Sequence, residues 1–392
     1  MFEKVRIGDL GEIYTGNTPS KKNKEFYDTE DIMFIKPDIL SFDIRFIDKS
    51  NEYISEKAKE KARVIPKGSL LVSCIGNIGK LGINNEEVAF NQQINAIIHN
   101  NKICSSKYLA YLLKYNQKKL EAIANAPVVP IINKSQFSDF EVVIHKELFE
   151  QKQLVKILDK AQQLIDKRKE QIEDLDKLVK SKFIEMFGDP IRNNMNWEIK
   201  KVGDIAFVTK LAGFEYTQYI NYQDEGEVVV VKGLNVKEKK LKLDNVSYID
   251  KETSDLLPRS QLKKNDLVMT YVGINIGDVA LVDGKNRYHL APNVAKISLL
   301  KESNINPVFM VNLLYMSRIL FSSGATSTAK QALNMGRIRE IDIMMPPVEL
   351  QNQFADFVKQ VDKLKFEMEK SLKELEDNFN SLMQRAFNGE LF

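Results

Sequence analysis

The sequence predicts an α+β protein: two duplicated mixed α/β heads separated by two long α-helices that form an antiparallel coiled coil. The first observation behind this is an apolar seam. Leu154, Leu158, Ala161, Ile165, Arg168, Ile172, Leu175, Val179, Lys182 and Met186 follow one another in alternating steps of four and three, which is the heptad spacing of a coiled coil. The second is that the register recurs 200 residues later, at Phe354, Val358, Val361, Lys365, Met368, Leu372, Leu375, Phe379, Leu382 and Ala386. The third is a repeat outside the helices. Val5-Arg6-Ile7-Gly8-Asp9-Leu10 parallels Lys201-Val202-Gly203-Asp204-Ile205, and Lys67–Ser73 parallels Lys264–Thr270. Tyr108–Leu113 likewise parallels Phe309–Leu314. The offset grows from 195 residues (Asp9 to Asp204) to 201 (Tyr108 to Phe309), as short loop insertions between kept elements would produce. A period this long is a domain duplication rather than a solenoid.

The elements follow in chain order. A first head is expected over 1–146. Within it, Leu70–Ile75 and Asn95–His99 read as strands and Ser106–Lys119 as an amphipathic helix, with Gly76 and Gly79 after the first strand. A long helix over 147–188 ends at Phe187-Gly188-Asp189-Pro190, where Gly and Pro stop it. A polar linker, 189–196, leads to the second head, 197–346. There Leu267–Val272 and Lys296–Leu300 read as strands, Gly273 and Gly277 follow the first of them, and Asn306–Phe321 reads as a helix with Pro307 in its first turn. Pro346-Pro347 separates this head from the second long helix, 347–392. About 40 helical residues span about 60 Å. Such a helix needs a partner for its seam, and the shared register makes the two natural partners, antiparallel if the heads lie at opposite ends. Arg168, Lys182 and Lys365 interrupt the seam. Polar seam residues fix register, or their stems snorkel to the edge.

Composition bounds the rest. A chain of 392 residues fits two to three domains, and its 57 basic and 54 acidic side chains leave a net charge of only +3. That balance does not announce nucleic-acid binding, though it permits local basic surfaces. Cys74 and Cys104 have no counterparts in the second half and read as buried free thiols. No signal peptide and no membrane span are expected, and a cytoplasmic location follows.

The junctions and the tail carry a family resemblance. Gly16-Asn17-Thr18-Pro19 forms a Gly-x-Thr-Pro turn, and Gln151 and Gln351 stand at the two helix starts. Pro346-Pro347 precedes the second helix, and the chain closes on Leu382-Met383-Gln384-Arg385-Ala386-Phe387-Asn388-Gly389-Glu390-Leu391. With head, helix, head, helix over almost the whole length, the chain resembles the specificity subunit of a type I restriction–modification system. It departs from the pattern where the second head has Gly213-Phe214-Glu215-Tyr216 in place of Gly-x-Thr-Pro, and where His145-Lys146 replaces Pro-Pro.

The resemblance implies a non-catalytic subunit whose heads are target-recognition domains. Each would read one half of a bipartite, asymmetric site in double-stranded DNA, and the paired helices would set the spacing. It implies two modification subunits that bind S-adenosylmethionine and methylate adenine, nuclease-translocase restriction subunits that join them, and no cofactor on this chain. A silent or orphan specificity subunit, or a coiled-coil adaptor that binds only proteins, would share the architecture.

The chemistry absent from the sequence agrees with that role. Gly76-Asn77-Ile78-Gly79-Lys80 lacks the first Gly of a phosphate loop, where Cys74 stands, and its Ser or Thr, where Leu81 stands. No Asn-Pro-Pro-aromatic methyltransferase motif occurs. Pro37-Asp38 finds its next acidic-x-Lys triplet only at Glu150-Gln151-Lys152 in the long helix, and His99, His145 and His289 lack metal-ligand spacing.

The candidate DNA contacts are polar loops. Lys21, Lys22 and Lys24 form a basic loop that pairs with phosphates or is merely solvated. Asn77 and Lys80 lie in the Gly-rich turn. Asn91, Gln92 and Gln93 offer amides suited to adenine edges, or simply cap a turn. In the second head the candidates are Lys232, Asn235, Tyr271, Asn275 and Arg287 near strand ends, Thr326 and Lys330 in a polar loop, and Arg337 as a guanine reader.

Overall fold

The computed structural model describes residues 2–124, 129–273, 275–318 and 333–391. The chain divides into two compact units that do not follow sequence order. One comprises Met1–Lys169 with Lys370–Phe392, and the other Glu170–Glu369. Each therefore holds one head and a half of each long helix.

The first head opens with Phe2–Arg6 paired antiparallel to Glu141–His145, which closes the head on itself just before the helix. Its five-stranded sheet runs in the order Gly11–Thr15, Ile94–His99, Leu70–Ser73, Leu81–Asn84, Phe46–Ile47. A four-stranded sheet follows the order Tyr53–Ile54, Ile32–Ile35, Val88–Phe90, Val64–Ile65, and its central pair is parallel. Ile32–Ile35 is an unbroken apolar run because the strand is buried on both faces. The expected helix over Ser106–Lys119 is broken. It runs Ser106–Tyr115, Asn116 Nδ2 then donates to the Leu112 carbonyl (2.9 Å), and a new helix covers Gln117–Ala122.

The second head repeats the plan. Glu198–Lys201 pairs with Asp342–Met345, and a four-stranded sheet runs Ala206–Lys210, Val294–Leu299, Leu267–Thr270, Val279–Leu281. A second sheet runs Ser247–Ile249, Val228–Val231, Arg287–Leu290, Gln261–Leu262, again with a parallel central pair. The head helix Pro307–Ser317 starts at Asn306, whose side chain accepts from Val308 N–H (2.9 Å).

The long helices are Leu148–Phe187 and Val348–Asn388. They pack antiparallel within each unit. In the second unit Lys365 Nζ reaches Asp176 (2.6 Å), while Phe183 and Phe187, further along the first helix, flank Phe354, earlier on the second (5.4 and 5.5 Å between rings). In the first unit Lys169 pairs with Glu376, while Phe387 lies beside His145, just ahead of the first helix. The seam residues Leu154, Leu158, Ile165, Leu175, Val179, Phe354, Val358, Val361 and Phe379 are buried, whereas Ile172, Leu372, Leu375 and Leu382 are half-buried.

The expected seam slips toward the helix ends. Phe183 and Phe187, rather than Lys182 and Met186, are buried, and Met383 and Phe387 join Ala386. A straight helix drifts from a strict seven-residue repeat, and these aromatic residues turn toward the heads. Phe183 and Phe187 meet Phe309, and Phe387 stacks on Tyr115. Lys365 uses its seam position for an interhelical ion pair with Asp176, its stem largely covered and the carboxylate half-exposed at the helix edge.

Candidate functional site

In each head the two sheets meet at a corner where four strands end, and the same backbone hydrogen bonds tie the corner together. In the first head Asn91 N–H donates to the Ile35 carbonyl (3.1 Å), Cys74 N–H to Gln93 (2.8 Å), and Gly79 N–H to Ser73 (2.9 Å). In the second, Ala291 N–H donates to Val231 (3.0 Å), Tyr271 N–H to Asn293 (3.0 Å), and Gly277 N–H to Thr270 (2.9 Å). The frame is common to both heads, and the side chains placed on it differ.

The first head fills its corner with internal bonds. Gly16 carries the Gly-x-Thr-Pro turn against the Asn91 turn so closely that a Cβ there would lie 2.3 Å from the Phe90 and Asn91 carbonyl oxygens. Thr18 Oγ1 donates to Gln92 Oε1 (2.8 Å), which joins two of the sequence motifs. Asn91 is buried, and its side chain bonds to Gln93 Oε1 and Gln93 N–H (2.9 and 3.1 Å). It acts as the turn cap, and Gln92 is the exposed amide of the three. Ser73 Oγ accepts from Lys80 N–H (2.9 Å) and donates to the Asn77 carbonyl, which closes the Gly-rich turn and leaves Asn77 exposed at its tip. Lys80 lies over the Phe42 ring (5.8 Å).

Lys36, at the end of Ile32–Ile35, is ion-paired with Glu52, whose other oxygen is 3.8 Å from Lys21. Lys21 and Lys24 line an open groove together with Asp28, Glu30 and Glu52. The basic loop is therefore partly neutralised. Lys22 is exposed beside it.

The second head leaves its corner open. A recess of about 750 Å³ is lined by Tyr216, Tyr222, Lys232, Thr270, Asn275 and Asn293, among others. Lys232 Nζ donates to Ser247 Oγ (2.6 Å) and lies 4.5 Å from the centre of the Tyr222 ring. Burial, with the neighbouring Tyr216, pushes the Tyr222 hydroxyl up to about 12. Thr270 Oγ1, the counterpart of Ser73 Oγ, is buried without a hydrogen-bond partner among the described residues. One extra residue in the 270–277 loop relative to 73–79 accompanies this change.

Not every sequence candidate reaches this corner. Asn235 is fully buried, where its Nδ2 donates to the Lys242 and Asn245 carbonyls (2.9 and 3.0 Å) and its Oδ1 accepts from Lys232 N–H (3.0 Å). It is a structural clamp, because a strand-end amide with three backbone partners has nothing left for an external base. Tyr271 is buried in the core, with Lys210 over its ring (5.4 Å). Arg287 begins the strand that ends at Leu290, so it stands at the opposite end of the sheet from Lys232. Arg337 is exposed on the separate short helix Met335–Arg339, and Asn275 is exposed on the corner loop. Thr326 and Lys330 lie outside the described residues. Sequence reasoning missed Lys36, Glu52, Tyr222 and Thr270. The usable signal was that Lys36 and Lys232 each follow a four-residue apolar run.

Among the described residues no cluster of three His, Cys, Asp or Glu side chains could hold a metal ion, and no helix is long and apolar enough to cross a membrane. Cys74 and Cys104 are buried thiols, each pushed up to about 12 by burial.

The type I restriction modification DNA specificity domain family matches the chain twice, over residues 1–174 and 194–377. The chain is 25% identical over 428 residues to the type I restriction enzyme MjaIX specificity subunit of Methanocaldococcus jannaschii, a match covering 100% of this chain and 93% of that protein. It is 34% identical over 184 residues to the HindI specificity subunit of Haemophilus influenzae, covering 44% of this chain and 39% of that one. In fold it is similar to the S subunit of a type I system from M. genitalium (TM-score 0.54, 14% identity, 99% of this chain and 96% of that chain). It is also similar to a chain from a structural study of type I R-M complex assembly and conformational transition (TM-score 0.62, 14% identity, 100% and 98%).

Proposed function

Because this chain belongs to the type I restriction modification DNA specificity domain family, we propose that it gives a methyltransferase–endonuclease complex its DNA sequence specificity without catalysing either reaction. Each head reads one half of a bipartite, asymmetric site in double-stranded DNA, through base-edge contacts and DNA shape. The paired helices set the gap between half-sites and dock two modification subunits. Those subunits bind S-adenosylmethionine, and restriction subunits join the complex. This chain binds no cofactor of its own.

The observation that carries this reading is the duplicated corner: one hydrogen-bond frame, two different sets of exposed side chains. Two readers built on one scaffold suit a site whose halves differ in sequence. Binding by one head raises the effective concentration of the other, so two modest contacts add up to a firm grip.

Methylome sequencing of a host with and without the intact gene tests the reading. One adenine-methylated motif with two half-sites and a fixed gap should depend on the gene. Adding one heptad to both long helices lengthens the spacer by about 10 Å, or about three base pairs at about 3.4 Å each. The gap in the methylated motif should grow to match, and an unchanged gap in a complex that still assembles would refute the ruler.

A further inference from the structure

Lys36 and Lys232 occupy the same place in the two heads. Each follows the last residue of a parallel central strand, and each faces the strand paired antiparallel to it. Phe34 N–H donates to the Glu52 carbonyl, and Val230 is registered with Ser247, so Glu52 and Ser247 also correspond. In the first head the carboxylate neutralises the lysine. In the second, the serine is a neutral acceptor, and among the described residues no carboxylate lies within 4.0 Å of Lys232 Nζ. The ammonium instead borders a recess that Tyr216, Tyr222 and Asn275 also line. A charge held by one serine and one aromatic face still has donor capacity for an external acceptor.

We propose that Lys232 is a specificity-determining residue of the second head, donating to the O6/N7 acceptor edge of a guanine in that head's half-site, and that Lys36 makes no such contact in the first. The inference rests on the DNA-reading function proposed above. A base edge is assigned rather than a phosphate because the charge at this position differs between the heads, and base contacts, unlike phosphate contacts, are what must differ when two heads read different half-sites. Lysine to guanine O6/N7 is a common major-groove pairing.

The test uses the full chain assembled with its modification subunits, with methylome sequencing as the readout. Lys232→Met should make one guanine position of one half-site degenerate, lowering its discrimination about tenfold or more. The other half-site and the gap should be unchanged. Ser247→Glu, which copies Glu52, should have the same effect, Lys232→Arg should retain the guanine, and Lys36→Met should leave both half-sites intact. Uniformly weaker methylation with a salt dependence reduced by about one counter-ion would mark a phosphate contact and overturn the proposal. So would an unaltered motif in Lys232→Met. Failure of the wild-type complex to methylate any bipartite motif would instead refute the underlying function.

Discussion

The residue after the first strand of the main sheet is Gly16 in the first head and Leu211 in the second. Gly16 is pressed onto two carbonyl oxygens, whereas Leu211 is buried among Val231, Leu290 and Val294. A similar exchange occurs inside the parallel pair, where Phe34 beside Ala89 in one head becomes Val230 beside His289 in the other. Large and small residues have changed sides while the strand register held. The backbone frame is thus set by hydrogen bonds that any sequence can make, and side-chain volume is traded in facing pairs. This is how two heads can share a corner and still present different chemistry at it.

The exchange gives the largest expected effect. Leu211→Ala should cost about 2–5 kcal/mol, as deletion of a fully packed leucine does. Gly16→Leu should disrupt the first head at least as much, because its side chain has no space between the turns. Urea unfolding followed by hydrogen exchange would assign each loss to one head. If both variants lost under about 1 kcal/mol, the two corners would not be packed as described, since core changes of this kind exceed that amount.

A smaller effect separates the heads at the next position. Asn235 N–H donates to the Lys232 carbonyl as Ile39 N–H does to Lys36, so the clamp of the second head corresponds to an apolar residue of the first. Asn235→Ala would strand the Lys242 and Asn245 carbonyls and cost about 1–3 kcal/mol. It would also free Lys232 N–H, so amide exchange over 232–245 should quicken while the first head stays protected. Unchanged protection there would mean that the hairpin beyond Lys232 is held by other bonds.

How much of this was legible in the sequence depends on the range of the interaction. The long helices were legible because a seam repeats every three and four residues and the register recurs in both halves. Even so, Phe183 and Phe187 were misplaced by one position, since their burial answers to Phe309 in the head and not to the heptad. The central strands were harder to find. Val228–Val231 is a run without alternation, which periodicity alone does not distinguish from a buried helical turn. The corner was legible only in part. Gln92, Asn77, Lys232 and Asn275 come to it, yet Arg287 lies at the other end of the sheet and Asn235 points inward. Whether a strand-end residue faces the corner depends on strand direction and on pairing partners tens of residues away. Glu52, which neutralises Lys36, is visible as a partner only once the antiparallel register is known.

The smallest effect concerns acid. Burial holds His289 and His145 below the ordinary histidine value of 6.5, so both are neutral in the folded chain at neutral pH. In the unfolded chain each takes up its proton near 6.5. Stability from these sites is therefore complete above 6.5 and is lost as pH falls from there toward the folded values. The two heads should yield at different places. His289 stands in the parallel central pair where the first head has Ala89, whereas His145 ends the closing strand beside Tyr108 and Phe387. On acidification, amide protection should fall first along 228–231 and 287–290 in the second head and along 141–145 in the first. The double variant Val230→Phe with His289→Ala transplants the Phe34–Ala89 pair into the second head. It should remove the acid sensitivity of that sheet and leave that of 141–145 intact. Persistence of the acid loss in the variant sheet would mean that other groups titrate there, and that the pair exchange is a matter of packing alone.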